Sequence, residues 1–205
     1  MGKDGESKRS VVCDIMCNSI IQVLMKEIIV MNNYKDEIES IHQGLGISGQ
    51  YSINFSLTLQ YEENELVDIG IDVFGMPQKL AVKASGAWKD MHRSAGNENI
   101  ILYCVSAFRS VEKQTEIIKR KIEAGQSLTE ILKVSAAPGY SEHHTGVALD
   151  ITTEGCEPLS ESFENTQAFQ WLQENTKSHN FNLSYPKNNE FGIAYEPWHW
   201  AYIEA

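Results

Sequence analysis

The chain has 205 residues, 42% of them hydrophobic, enough apolar material for one good core with a small appendage and unlike a disordered or fibrous chain. Its 28 acidic residues outnumber 17 basic ones, for a formal net charge of -11. That balance excludes a general nucleic-acid binder and a protein held on anionic lipid by charge, since both need basic patches.

Residues 1–10 are polar and expected to fray. Over residues 11–42, apolar positions such as Ile20, Leu24, Ile28 and Met31 recur at three and four, which predicts one or two amphipathic helices. Asp14, Asn18, Gln22, Lys26 and Glu27 interrupt the apolar stretch and argue against a membrane span. No export signal is legible there either, so a cytoplasmic protein is expected. Residues 51–61 alternate cleanly, with Tyr51, Ile53, Phe55, Leu57 and Leu59 on one side, and Val67, Ile69, Ile71 and Val73 alternate after a turn-like stretch. Two half-buried strands joined as a hairpin are predicted. Gly75 and Pro77 close this part, which divides the chain into an accessory extension over 1–75 and a catalytic domain over 76–205.

A helix is expected over 78–94 with Leu80, Ala84, Trp88 and Met91 inward, and a buried strand over 100–105. Ser110 is placed to cap a helix through residue 124, with Ile117, Ile118 and Ile122 inward. Its basic run Lys119-Arg120-Lys121 reads as a solvated face. Ser127 with Glu130 has the spacing of a capping box for a shorter helix. Residues 147–152 look extended, 164–178 helical, and 181–185 and 193–203 strand-like. The four cysteines are too scattered for a disulfide framework, and Cys13 and Cys17 fit ordinary helix packing.

The segments that carry chemistry lie far apart. Ser141-Glu142-His143-His144-Thr145-Gly146-Val147-Ala148-Leu149-Asp150 sets a histidine and an aspartate seven residues apart, and Glu196-Pro197-Trp198-His199 supplies a carboxylate and a histidine near the end. Catalytic zinc takes three nitrogen or oxygen ligands and keeps a fourth position open. His143, Asp150 and His199 make up such a set, and Glu196 is placed to move a proton beside it. Taken singly, Asp150 would serve as a strand-end cap and Glu196 as an exposed charge before a proline. The two segments together give the chemical reading its weight.

Ser141-x-His143-x-x-Gly146-x-Ala148-x-Asp150 followed by Glu196-Pro197-Trp198-His199 resembles the signature of the VanY-type D-alanyl-D-alanine carboxypeptidases, relatives of the VanX dipeptidases and of the Hedgehog amino-terminal fold. The likeness covers residues 79–202 and includes Ser106-Ala107-Phe108-Arg109-Ser110 with Gln114. It implies an α+β fold built on a small antiparallel sheet with flanking helices. It also implies one zinc ion on His143, Asp150 and His199, Glu196 as acid/base, and Arg109 facing the scissile carbonyl. Ser141 and Gln114 resemble positions that hold the substrate's terminal carboxylate or nearby backbone. His144 is taken as a neighbour without a role, and Trp198 as packing behind His199. The implied substrate is a peptidoglycan stem peptide or muropeptide ending in D-alanine. The alternatives are an L,D-carboxypeptidase, a D,D-dipeptidase and, from another class, a non-hydrolytic zinc-binding module.

Overall fold

The computed structural model describes the backbone of residues 4–204 and the side chains of residues 21–204. The chain runs through α1 (Asp4–Leu45), α2 (Tyr51–Asn54), β1 (Leu66–Ile71), β2 (Pro77–Ala81), α3 (Val82–Asn97), β3 (Tyr103–Ser106), α4 (Val111–Glu123), α5 (Leu128–Lys133), β4 (Ala148–Thr152), α6 (Gln167–Asn175), β5 (Phe181–Leu183) and β6 (His199–Tyr202). Three 3₁₀ turns, Glu142–Thr145, Glu161–Asn165 and Thr176–His179, complete it. This is the α+β architecture expected from the sequence, with a two-stranded sheet β1-β2 and a four-stranded sheet in the order β3-β4-β6-β5, all pairs antiparallel.

The core forms because α3 and α6 carry apolar residues at helical spacing. Ala84, Trp88, Met91 and Ala95 from α3 and Ala168, Phe169, Trp171 and Leu172 from α6 join Leu149, Ile151, Phe181 and Trp200 of the larger sheet. Leu149 and Ile151 are fully buried, each contributing about 1.5–3 kcal/mol relative to exposure. Strand alternation then turns Asp150, between them, to the opposite face. Side-chain oxygens of Ser110, Ser127 and Thr166 accept backbone N–H groups at the starts of α4, α5 and α6, so the caps read at Ser110 and Ser127 are present.

The predicted strand over 51–61 is a correction. Tyr51 begins a single helical turn, and the segment after α2 is irregular. Tyr51 and Phe55 stand one turn apart and stack with centroids at 4.8 Å. Together with Ile47 they cover Ile118, Ile131 and Leu132, so the apolar residues are used to seal α4 and α5 rather than to pair with a strand. The hairpin partner of β1 is β2, and residue 75 falls in its turn. Residues 78–81, expected to begin a helix, are therefore extended as part of β2, and α3 starts at Val82. Strand β3 starts at Tyr103, and the region expected as one helix over 164–178 is α6 flanked by two 3₁₀ turns. Residues 193–198 are irregular, and only His199–Tyr202 are strand.

Helix α1 is one continuous element that includes residues 4–10, part of the stretch expected to fray; residues 1–3 lie outside the described set. Cys13 and Cys17 lie among residues whose side chains are not described. Ile38 and His42 of α1 are buried, whereas Ile21, Leu24, Ile28 and Met31 are at least half exposed. Among the described residues, no helix is long and apolar enough to cross a membrane.

Candidate metal centre and cleft

The register of the larger sheet builds the site. Asp150 of β4 pairs with His199 of β6, and Ser106 of β3 pairs with Asp150, so three polar residues lie in a row across three strands. A bulge between Cys104 and Ser106 ends the regular pairing there. His143 comes from the 3₁₀ turn that leads into β4. That turn ends at Gly146, whose φ of 66° is left-handed. A side chain at Gly146 would meet the Ala81 backbone nitrogen at 2.9 Å, the same nitrogen that donates to the Gly146 carbonyl.

One donor atom from each of His143, Asp150 and His199 falls within 4.8 Å of the others, and all three residues are buried. The donor directions suit a cation. His143 Nδ1 donates to the Ala107 carbonyl at 2.6 Å, which leaves Nε2 facing Asp150 Oδ2 at 3.2 Å. His199 Nε2 donates to Glu142 at 2.9 Å, and its Nδ1 faces Asp150 Oδ1 at 3.0 Å. Each imidazole thus spends one nitrogen on the protein and offers the other to a common point, the arrangement by which outer partners orient metal-binding histidines. Two imidazoles and a carboxylate match zinc and other first-row divalent ions.

Without an ion, the buried charges of the site compensate one another. Burial and the Asp150 charge act in opposite directions on His143, with burial the larger, so its pKa is lowered. The carboxylates of Asp150 and Glu142 outweigh burial at His199 and raise its pKa to about 10. Asp150 is held well below the ordinary carboxylate range despite its burial, by the charges and hydrogen bonds of the two histidines. Glu196 differs: burial dominates and lifts its carboxyl to about 7. Its Oε2 lies 3.8 Å from His199 Nδ1.

These groups open into a cleft of about 420 Å³. Arg109 lines it, with Nη1 donating to Gln114 Oε1 and Nη2 to Ser106 Oγ, both at 2.9 Å, and with Nη2 3.7 Å from Asp150 Oδ2. Gln114 lines the same cleft with both amide ends engaged, since Nε2 donates to the Ala136 carbonyl at 2.6 Å. Ser141 is buried in the cleft wall. All seven residues singled out from the sequence, His143, Asp150, His199, Glu196, Arg109, Ser141 and Gln114, therefore line one cavity.

Other readings change. Tyr185, not singled out from the sequence, packs on His199 with ring centroids 4.8 Å apart, and Trp198 packs against the core and also lines the cleft. His144 is fully buried and bridges two segments, Nδ1 donating to the Arg109 carbonyl and Nε2 accepting from the Gly139 N–H at 3.1 Å. Glu142 was missed because a glutamate one residue before a histidine looks like any surface charge; only the fold carries it to His199.

A buried two-histidine, one-aspartate donor set with a carboxylate and a guanidinium in the same cleft defines the metallohydrolase type of site. Residues 77–205 match the family model of VanY, D-alanyl-D-alanine carboxypeptidase, and the chain belongs to that family. It is 32% identical over 177 residues to YodJ of Bacillus subtilis (strain 168), a protein named as a carboxypeptidase, covering 82% of this chain and 64% of that one. It is 26% identical over 162 residues to a D-alanyl-D-alanine carboxypeptidase of Enterococcus faecalis (strain ATCC 700802 / V583), covering 73% and 59%. The chain thus spans about three-fifths of the length of these relatives. Among solved structures, it resembles the LD-carboxypeptidase LdcB, with a TM-score of 0.62 and 33% identity over 70% of each chain. It also resembles the D,D-pentapeptidase VanY solved in complex with Zn(II), with a TM-score of 0.52 and 25% identity over 74% and 82% of the two chains.

Proposed function

We propose that this chain is a zinc-dependent carboxypeptidase that removes the terminal D-alanine from peptidoglycan stem peptides. Its metal would be a single zinc ion on His143 Nε2, Asp150 and His199 Nδ1. When bound, that ion supplies Lewis acidity toward the scissile carbonyl and lowers the pKa of a water to roughly 7. The observation that carries the reading is the convergence of His143, Asp150 and His199 donor atoms in one cleft, with the buried carboxyl of Glu196 3.8 Å from His199 Nδ1. A carboxylate placed there accepts a proton from the attacking water and returns it to the departing amine.

Arg109 acts on the carbonyl oxygen. Gln114 and Ser106 fix its guanidinium, so its donors need little reorganisation as negative charge develops. Loss of one such donor typically costs about 3–4 kcal/mol of barrier. Gln114 contributes through Arg109, and Ser141 shapes the wall against which the peptide lies.

A second reading, an L,D-carboxypeptidase acting on tetrapeptides, is favoured by the likeness to LdcB. Zinc-loaded protein incubated with a stem pentapeptide, a stem tetrapeptide and free D-Ala-D-Ala separates the readings by which amino acid is released from which substrate. Release of D-alanine from the pentapeptide supports the first reading; release from the tetrapeptide alone selects the second. No release from any of the three would sink both.

A further inference from the structure

Among the described residues, helix α1 meets the core through a row spaced by one turn, Tyr34, Ile38 and His42. Tyr34 OH donates to the Gln60 carbonyl at 2.7 Å and His42 Nε2 to the Pro138 carbonyl at 2.8 Å, while Ile38 is buried against Gly139. Upstream of that row the helix runs clear of the core, and every residue from 21 to 31 is exposed. Ile21, Leu24, Met25, Ile28, Ile29 and Met31 are each at least half exposed there. At 3.6 residues per turn these six fall within an arc of about 160°, a stripe of the width that a helix normally buries. Gln22, Lys26 and Asn33 lie on the opposite side. A contiguous apolar stripe of this kind marks an interaction surface.

We infer that this stripe of α1, residues 21–31, is where a second copy of the chain docks, helix against helix. The area suits that occupant. Half-exposed side chains of this size offer on the order of 100 Å² each, so the six give roughly 600 Å² per copy and about 1,200 Å² per pair, where stable interfaces begin. Charge selects it as well. The chain carries a net charge of -11, which opposes self-association, yet between residues 15 and 34 the charged side chains are Lys26 and Glu27, which cancel. Two copies therefore meet along α1 without like-charge repulsion at the contact. A helix that lies on a membrane surface instead carries several Lys or Arg on its polar side, and this one has Lys26 alone, beside Glu27. Pairing through the stripe leaves the Tyr34, Ile38 and His42 row on its own core, so it does not depend on which bond the cleft cuts.

Sedimentation velocity on the full chain, over protein concentrations from about 1 to 100 μM, tests this. The wild type should reach twice the chain mass of 23.1 kDa. Leu24→Glu combined with Ile28→Glu puts two charges into the stripe and should raise the dissociation constant by about 100-fold or more. Gln22→Glu, on the opposite side of the same helix, should leave it unchanged. Zinc affinity and the urea midpoint of the double variant, equal to wild type, establish that its catalytic core is folded. Hydrogen exchange supplies a second reading, since amides of residues 21–31 should exchange more slowly at high than at low protein concentration. A wild type that stays at 23.1 kDa throughout overturns the inference, as does a dimer that survives the double variant. Monomers that float with phosphatidylcholine vesicles through residues 21–31 would make a lipid surface the occupant, and the inference fails in that case too.

Discussion

His199 is held between two carboxylates, Nε2 on Glu142 at 2.9 Å and Nδ1 on Asp150 at 3.0 Å. Glu142 fixes which nitrogen of the ring can face a cation. Glu142→Gln, which keeps the shape and loses the charge, should weaken zinc binding by about 10- to 100-fold. Competition against a chromophoric chelator measures this, and unchanged affinity would remove Glu142 from the site.

The same pair predicts proton release. In the metal-free protein His199, with a pKa of about 10, is protonated at neutral pH, whereas His143, lowered by burial, is not. Loading zinc at pH 7.5 should therefore release at least one proton, the first of them from His199 and any excess from the bound water. Titration calorimetry in buffers of different ionisation enthalpy counts them, and Glu142→Gln should reduce the count.

Glu196→Gln should lower kcat by about 10²- to 10⁴-fold with zinc still bound. Turnover equal to wild type would refute the acid/base role. The metal-free protein gives a separate check. A carboxyl raised from 4.5 to about 7 binds its proton more tightly in the folded state, so burying it costs stability as pH rises from about 4.5 to 7. Above pH 7 the glutamine variant should be more stable in urea by about 1–3 kcal/mol, and the two proteins should converge near pH 4.

His144 answers in the opposite sense. Burial lowers its pKa to about 4, so the neutral ring's contribution is present above the unfolded value of 6.5 and is lost as pH falls toward 4. His42, also buried and lowered, adds to this acid-side loss. His144→Ala leaves the Arg109 carbonyl and the Gly139 N–H without their partner and should cost about 2–4 kcal/mol at pH 7.5. The deficit should shrink at pH 5, which denaturant titrations at the two pH values would show.

Gly146→Ala should destabilise by at least about 2 kcal/mol, because it combines a left-handed φ with a contact of 2.9 Å to the Ala81 nitrogen. Zinc affinity should fall with it, since the same turn carries His143. Thermal unfolding and chelator competition on one preparation report both effects.

Much of this protein was legible in order along the chain. Ser110 and Ser127 marked helix starts because capping depends on the next three residues alone. The paired motifs named His143, Asp150, His199 and Glu196 because those residue types suit a metal and a proton shuttle. What the sequence misread were segments whose apolar residues have a choice of partner. Residues 51–61 alternate like a strand, yet Tyr51 and Phe55 are drawn onto α4 and α5, and β1 pairs with β2 instead. Lys121 sits in a basic run like a solvated face, and only the packing of α4 turns it into the cleft. Glu142 and His144 flank a recognisable histidine without any signal of their own. Their roles arise from contacts 57 and 35 residues away in the chain, with His199 and Arg109. Donor types are a local property that the sequence determines. Which nitrogen of each histidine faces Asp150, and which cations line the cleft, depend on long-range register and burial, which only the tertiary structure decides.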